Sequence, residues 1–208
     1  MRGASVYACG PMAISLILAH PSKGSFNHAI ADVAAKTLRA SGHEVHFHDL
    51  CAERFDPMLP GEEIPNDSPL PPVIEQHCRE IVAAEGIVVV HPNWWGQPPA
   101  VLKGWLDRVM RQGVAYKFGT NDTGEGVAIG LLKAKRAVVF NTANTPADRE
   151  RELFGDPLEN LWKTCVFDFC GVKSFVRRLY AVVVISTAEQ RREWLKDAEN
   201  TIRECFPG

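Results

Sequence analysis

Pro92-Asn93-Trp94-Trp95-Gly96 sets two adjacent tryptophans just past an apolar run, Ile87-Val88-Val89-Val90, that stops at His91-Pro92. Such a run reads as a buried parallel strand, and its carboxyl end is where open α/β sheets bind ligands. Flat aromatic surface at that point suits a planar ring, with Gly96 and Pro98-Pro99 holding the backbone in one conformation. The same tryptophans would also serve as core or as a subunit surface. A second stretch, His20-Pro21-Ser22-Lys23-Gly24-Ser25-Phe26-Asn27, runs into a helix start. Ser25 can cap that helix, and the amides and dipole of a helix N-terminus attract phosphate, the plain alternative being a cap without a ligand. A third, Asn141-Thr142-Ala143-Asn144-Thr145-Pro146, offers small polar donors on a turn. Those donors suit the carbonyls and nitrogens of a ring edge, or simply an Asn/Thr-Pro turn.

The elements that must position these loops follow from periodicity. Apolar or alternating runs predict strands over 13–19, 44–49, 87–90, 136–140 and 179–185. Helical spacing predicts a helix from Phe26 to Gly42, another over 72–84, one opened by Pro98, a mostly helical stretch over 149–170 broken near Gly155-Asp156-Pro157, and a closing helix over 187–205. Residues 51–71 read as a long proline-rich loop and 112–130 as a glycine-rich irregular segment. Strands alternating with helices imply a parallel sheet with helices on both faces and right-handed crossovers. Five strands favour the flavodoxin-type α/β sandwich, order 2-1-3-4-5, over the six-stranded dinucleotide type, and no G-x-G-x-x-G follows the first strand. All three loops then lie on one rim.

The chain has 208 residues and a formal net charge of -2, from 23 basic and 25 acidic residues, which argues against nucleic acid or an anionic membrane as partner. Its six cysteines form no C-x-x-C pair and read as reduced thiols of a cytoplasmic protein. The apolar stretch from Met12 to Ala19 is too short to span a membrane and lacks a small-x-small cleavage site, so it reads as the first strand. Met12 is itself a plausible start, so residues 1–11 read as an extension and 12–208 as one domain. Glu44, His46 and His48 share a strand face beside Asp49, but alternation predicts a solvated face as readily, and no metal site is expected. Asp107-Arg108 and Arg149-Glu150-Arg151-Glu152 read as solvated helix charge, and Cys165 and Cys170 as pointing apart on a helix.

Taken together, Ser25-Phe26-Asn27, the motif P-x-x-W-x-x-P-P-A-x-L-K-G-W-x-D-R-V from Pro92 to Val109, and G-x-A-Y-x-F from Gly113 to Phe118 resemble the flavodoxin-fold NAD(P)H:quinone oxidoreductases. That group includes mammalian quinone reductases, bacterial modulators of drug activity and ancillary proteins of potassium efflux systems. The resemblance implies a flavoenzyme that passes a hydride from NAD(P)H through flavin to a quinone by ping-pong exchange. It assigns flavin phosphates to His20, Ser25, Phe26 and Asn27, and the ring to Pro92, Asn93, Trp94, Trp95 and Gly96 with Thr142, Ala143 and Asn144. It places the acceptor against Trp95 and against Tyr116 and Phe118 from the partner chain of a homodimer. The first loop resembles the FAD users, with FMN the alternative. Mammalian members carry Gly-Gly after the threonine of the third loop, where Ala143-Asn144 stand here. They also carry a Tyr and a His downstream, for which the stretch Ala147–Phe154 has neither. A flavin-bearing regulatory subunit of a potassium-efflux system and a flavodoxin-like electron carrier are the other readings, the second disfavoured by the near-neutral charge.

Overall fold

The computed structural model describes residues 10–208, so the expected extension over 1–11 falls almost wholly outside the described residues. Five strands, β1 (Ala13–Leu18), β2 (Glu44–Asp49), β3 (Gly86–Pro92), β6 (Arg136–Ala143) and β7 (Ser174–Ala181), form one parallel sheet in the order β2-β1-β3-β6-β7. The expected numbering 2-1-3-4-5 is corrected by an added hairpin, β4 (Tyr116–Thr120) and β5 (Gly126–Gly130), which forms its own antiparallel pair between β3 and β6. The glycines that made 112–130 look irregular are part of it. Gly124, with φ 80°, turns the hairpin, and Gly130 lies so close to the Cys170-Gly171 backbone that no side chain would fit.

Period-two alternation sends each central strand's side chains to opposite faces. Ile14, Leu16 and Leu18 of β1, Val88 and Val90 of β3, and Val138 and Phe140 of β6 pack on one face. There they meet α1 (Phe26–Ala40), through Ile30, Ala34 and Leu38, and α6 (Ala188–Cys205), through Ala198 and Ile202. Ile17, Ile87, Val89, Ala137 and Val139 face the other way. They meet α2 (Pro72–Ala83), α3 (Ala100–Val109) and, beyond α4 (Ala147–Phe154) and the short α5 (Pro157–Asn160), a π-helical stretch over Leu161–Asp168 that inserts Trp162 and Phe167. Among the described residues no helix is long and apolar enough to cross a membrane.

The last sheet strand lies at Ser174–Ala181 rather than at 179–185. Two arginines inside it, Arg177 and Arg178, break the apolar pattern. The run Val182–Ile185 imitates a strand but turns outward, leaving Val184 70% and Ile185 78% exposed.

The long loop after β2 is clamped to α3. Arg108 is buried there rather than solvated: its Nε donates to Glu63 Oε2 at 3.0 Å, its Nη2 to Glu63 Oε1, and its Nη1 to the Asp56 carbonyl at 2.7 Å. Asp107 does stay outside, paired with Lys103 at 2.6 Å. One turn earlier, Gly104 presses on Pro57, where an added Cβ would lie 2.2 Å from the Pro57 carbonyl oxygen. Alanine is the better helix former by about 1 kcal/mol, but a clash with backbone outweighs that gain. Gly104→Ala should therefore lose about 1–3 kcal/mol of stability in a urea titration, and a variant as stable as the parent would show that the loop yields freely.

Candidate functional site

Beyond the carboxyl ends of β1, β3 and β6 lie two adjoining cavities, of about 320 and 360 Å³. His20, Ser25, Phe26, Asn27, Pro92, Trp94 and Thr142 line the first. Trp95, Gly96, Glu150, Phe154 and Pro157 line the second, and Asn93, Ala143, Asn144 and Thr145 border both.

On the first loop Ser25 caps α1, accepting the His28 amide at 3.4 Å. Its hydroxyl also lies 2.9 Å from His28 Nδ1, while His28 Nε2 lies 3.1 Å from Asp49 Oδ2. The carboxylate accepts, so in the neutral ring Nε2 carries the proton and Nδ1 accepts from Ser25. The first amides of α1 have no partner within the helix, and Ser25, Phe26 and Asn27 line the first cavity. His20 Nδ1 accepts the Ser22 amide at 3.1 Å, its ring lies 6.0 Å from that of Trp94, and burial holds its pKa below the usual value. Phe26 packs its ring on Tyr180 and Trp194.

The loops are cross-braced. Asn27 Nδ2 donates to Thr142 Oγ1 at 2.9 Å, and the Asn93 amide donates to the Thr142 carbonyl at 2.7 Å. Asn144 Oδ1 accepts the Val184 amide at 3.0 Å. Trp94 and Gln97 exchange backbone hydrogen bonds of 3.1 and 3.0 Å, closing a tight turn over Trp95 and Gly96. Both central residues have positive φ, 58° and 68°. Gly96 suits this, and an added Cβ there would lie 2.7 Å from Pro157 Cγ. For tryptophan it is a strained conformation, and the Trp95 side chain is fully exposed beside the second cavity.

Tyr116 and Phe118 are not brought here. Tyr116 packs 4.9 Å from the Phe169 ring, Phe118 is 61% exposed on the hairpin, and neither lines the rim cavities of the single chain.

Two residues have roles that sequence reading missed. Glu150, expected on a solvated face, is buried and accepts Asn93 Nδ2 at 2.8 Å. Its signal was faint: a carboxylate on the first helix after a strand end, hidden in an alternating charge run. His91 is fully buried beneath the rim. Its Nδ1 donates to the Pro92 carbonyl at 2.8 Å, and Nε2 accepts from Trp162 Nε1 at 2.9 Å and Asn141 Nδ2 at 2.8 Å. Burial drives its pKa down to about 3.

Away from the rim, His48 lies between Glu53, at 3.0 Å, and Glu80. His77 is 3.6 Å from Glu53 and accepts Trp105 Nε1 on Nδ1 at 3.1 Å. The three groups His48, Glu53 and His77 could gather round an ion by distance alone. The Trp105 hydrogen bond, however, fixes the proton of neutral His77 on Nε2, the atom that would have to ligate.

A sequence profile described as the flavodoxin-like fold matches residues 12–204. The chain belongs to that family. A relative in Haemophilus influenzae named an uncharacterized NAD(P)H oxidoreductase is 34% identical over 185 residues, 87% of this chain and 89% of its own. NAD(P)H dehydrogenase [quinone] 1 of Cavia porcellus is 28% identical, over 89% of this chain and 75% of its own. Among solved structures, the NAD(P)H:quinone oxidoreductase from Methanothermobacter marburgensis superposes with a TM-score of 0.78 at 25% identity, covering 94% of this chain and 97% of that one. By this kinship the chain is an oxidoreductase enzyme of the flavodoxin-like family.

The two neutral buried histidines give a sign for acid stability. Folded pKa values of about 3 for His91 and about 4 for His77 lie below the ordinary 6.5, so below that pH the unfolded chain binds protons that the folded chain does not. Stability should fall as pH drops from about 6.5 toward 4, by up to roughly 1.4 kcal/mol per pH unit for each histidine. His48, raised despite burial by its two glutamates, leaves this acid slope unchanged: its contribution is fully present below 6.5 and is lost only as pH rises through its folded value. Urea titrations across that range should show a shallower acid slope for His91→Gln, and an identical slope would remove His91 from the explanation.

Proposed function

We propose that this chain is a flavoenzyme that transfers a hydride from NAD(P)H to a quinone or similar aromatic acceptor in alternating half-reactions at one site. The observation that carries the reading is the pair of adjoining cavities framed by three loops and braced through Asn27, Thr142 and Asn93. The names carried by the relatives support the donor and the acceptor class.

The residues present fit a flavin. The first turn of α1, at Ser25, Phe26 and Asn27 with His20 opposite, would hold the phosphates on free amides and a positive helix end. Pro92, Asn93, Trp94, Trp95 and Gly96 on one side, and Thr142, Ala143 and Asn144 on the other, would hold the ring. Asn93 Oδ1 is buried without a hydrogen-bond partner. Nδ2 faces Glu150 Oε1, so Asn93 Oδ1 is left for an N–H donor such as a flavin pyrimidine edge carries. When bound, flavin supplies the two-electron hydride chemistry. The protein's part is to orient the ring on rigid loops, keep water from its buried edge and leave the Trp95 side open for donor and acceptor in turn.

FAD is our assignment, from the character of the Ser25-Phe26-Asn27 loop, with FMN the alternative. We place the active form as a homodimer, in which Tyr116 and the exposed Phe118 of one chain would close the acceptor site of the other. Residues 12–208 act in this reading as one unit, and we assign it to the cytoplasm.

Purified protein should be yellow, release FAD on heating as identified by mass, and oxidise NAD(P)H when given menadione. Thr142→Val, which removes the brace to Asn27, should weaken flavin binding about tenfold. Protein that retains neither FAD nor FMN after reconstitution and oxidises no NAD(P)H with several quinones would refute the assignment.

A further inference from the structure

Among the described residues, Glu150 is the one ionisable side chain on the second cavity. It is 3% exposed, and it forms no ion pair with any described lysine, arginine or histidine. A carboxyl group buried without a counter-charge is costly and is seldom kept where an apolar residue would serve. Oε1 accepts Asn93 Nδ2 at 2.8 Å, an acceptor duty that holds in either protonation state. Oε2 has no hydrogen-bond partner among the described residues, which leaves it free to meet a bound molecule from a side chain that lines the cavity. The neighbours Trp95, Asn144 and Thr145 can donate hydrogen bonds but do not give up protons near neutral pH, and His20 lies in the other cavity. Asn93 joins Glu150 to the loop that carries Trp95, so the carboxyl group is held at a fixed place on the wall.

We propose that Glu150 is the general acid of the proposed reaction, giving its proton to the acceptor's oxygen as the hydride arrives. This rests on the oxidoreductase reading above. A quinone becomes a hydroquinone by gaining two electrons and two protons. The hydride brings both electrons and one proton. The second proton comes separately: the Glu150 O–H bond breaks, an O–H bond forms on the acceptor, and the carboxylate regains its proton from water. Overall NAD(P)H, one proton and the quinone give NAD(P)+ and the hydroquinone. Asp148 and Glu152 stand on the same helix, but of the three carboxyl groups it is Glu150 that is buried and lines the cavity.

The test compares menadione with ferricyanide, which takes electrons and needs no proton. Glu150→Gln keeps the size of the side chain and an oxygen for Asn93. With bound flavin measured by absorbance and unchanged, the ratio of menadione to ferricyanide turnover should fall about 100-fold. The solvent deuterium effect on menadione reduction should vanish with it. Glu150→Asp, which retains a carboxyl group, should restore part of the ratio. A ratio unchanged in Glu150→Gln, or an aspartate no better than glutamine, would overturn the proposal and leave the oxidoreductase reading standing. Wild-type protein that holds flavin yet reduces neither acceptor would refute that reading and this one together.

Discussion

The rim depends on Thr142 being held between two loops that come from distant parts of the chain. It pairs in register with Pro92 across β3 and β6, so its carbonyl meets the Asn93 amide as a continuation of the sheet ladder. Its hydroxyl meets Asn27 on the helix after β1, 115 residues earlier in the sequence. Both side chains are almost completely buried, where an unmade hydrogen bond costs about 1–3 kcal/mol and a made one fixes geometry. Loops that would otherwise fluctuate separately therefore share the rigidity of the sheet. The strained turn over Trp95 and Gly96 persists because Asn93 before it and Pro157 against it are both fixed.

Beneath the rim a chain of buried polar groups sets where that sheet end sits. The Pro92 carbonyl receives His91 Nδ1–H, and His91 Nε2 receives Trp162 and Asn141. Asn141 Oδ1 receives Arg177 Nε at 2.6 Å, and Arg177 Nη1 reaches Asp156 at 2.8 Å and Glu159 at 3.2 Å. Each link has one workable assignment of donor and acceptor, which is what makes such a network specify position rather than merely fill space. It ties β3, β6 and β7 to α5, and α5 brings Pro157 against Gly96.

The parallel core was legible because its strands are continuous β-branched runs, as at Ile87–Val90, and its helices keep a clear apolar stripe, as from Ile30 to Leu38. The same physics hid the edge. β7 carries Arg177 and Arg178, so its pattern fails where its ion pairs begin, and the apolar run that follows is surface. The hairpin was read as irregular because its glycines are needed by tertiary contact, which local propensity does not report. At the site, the three loops were readable from strand ends and motif. Glu150 and His91 were not, and neither was Arg108 in the clamp on α3, because residue type alone cannot see a partner far away in sequence, such as Glu63 for Arg108. Tyr116 and Phe118 carry part of the resemblance but lie away from the rim cavities of the single chain.

The two cavities offer different partners, and that asymmetry sets how a ligand can lie. The first is bordered by a helix N-terminus and His20, which favour an anion. The second is walled by Trp95, Phe154 and Pro157 with Glu150 and brings no cation among the described residues, so it accepts a ring and leaves an anion unpaired. A molecule with phosphates at one end and an aromatic system at the other fits such a rim in one direction only. Reversing it would bury phosphate against Glu150 and leave the free amides of α1 unpaired, two penalties at once. The direction follows from placing a cap and a carboxyl group at the ends of different strands of one sheet, and the braces through Thr142 and Asn93 keep the two poles at a fixed separation.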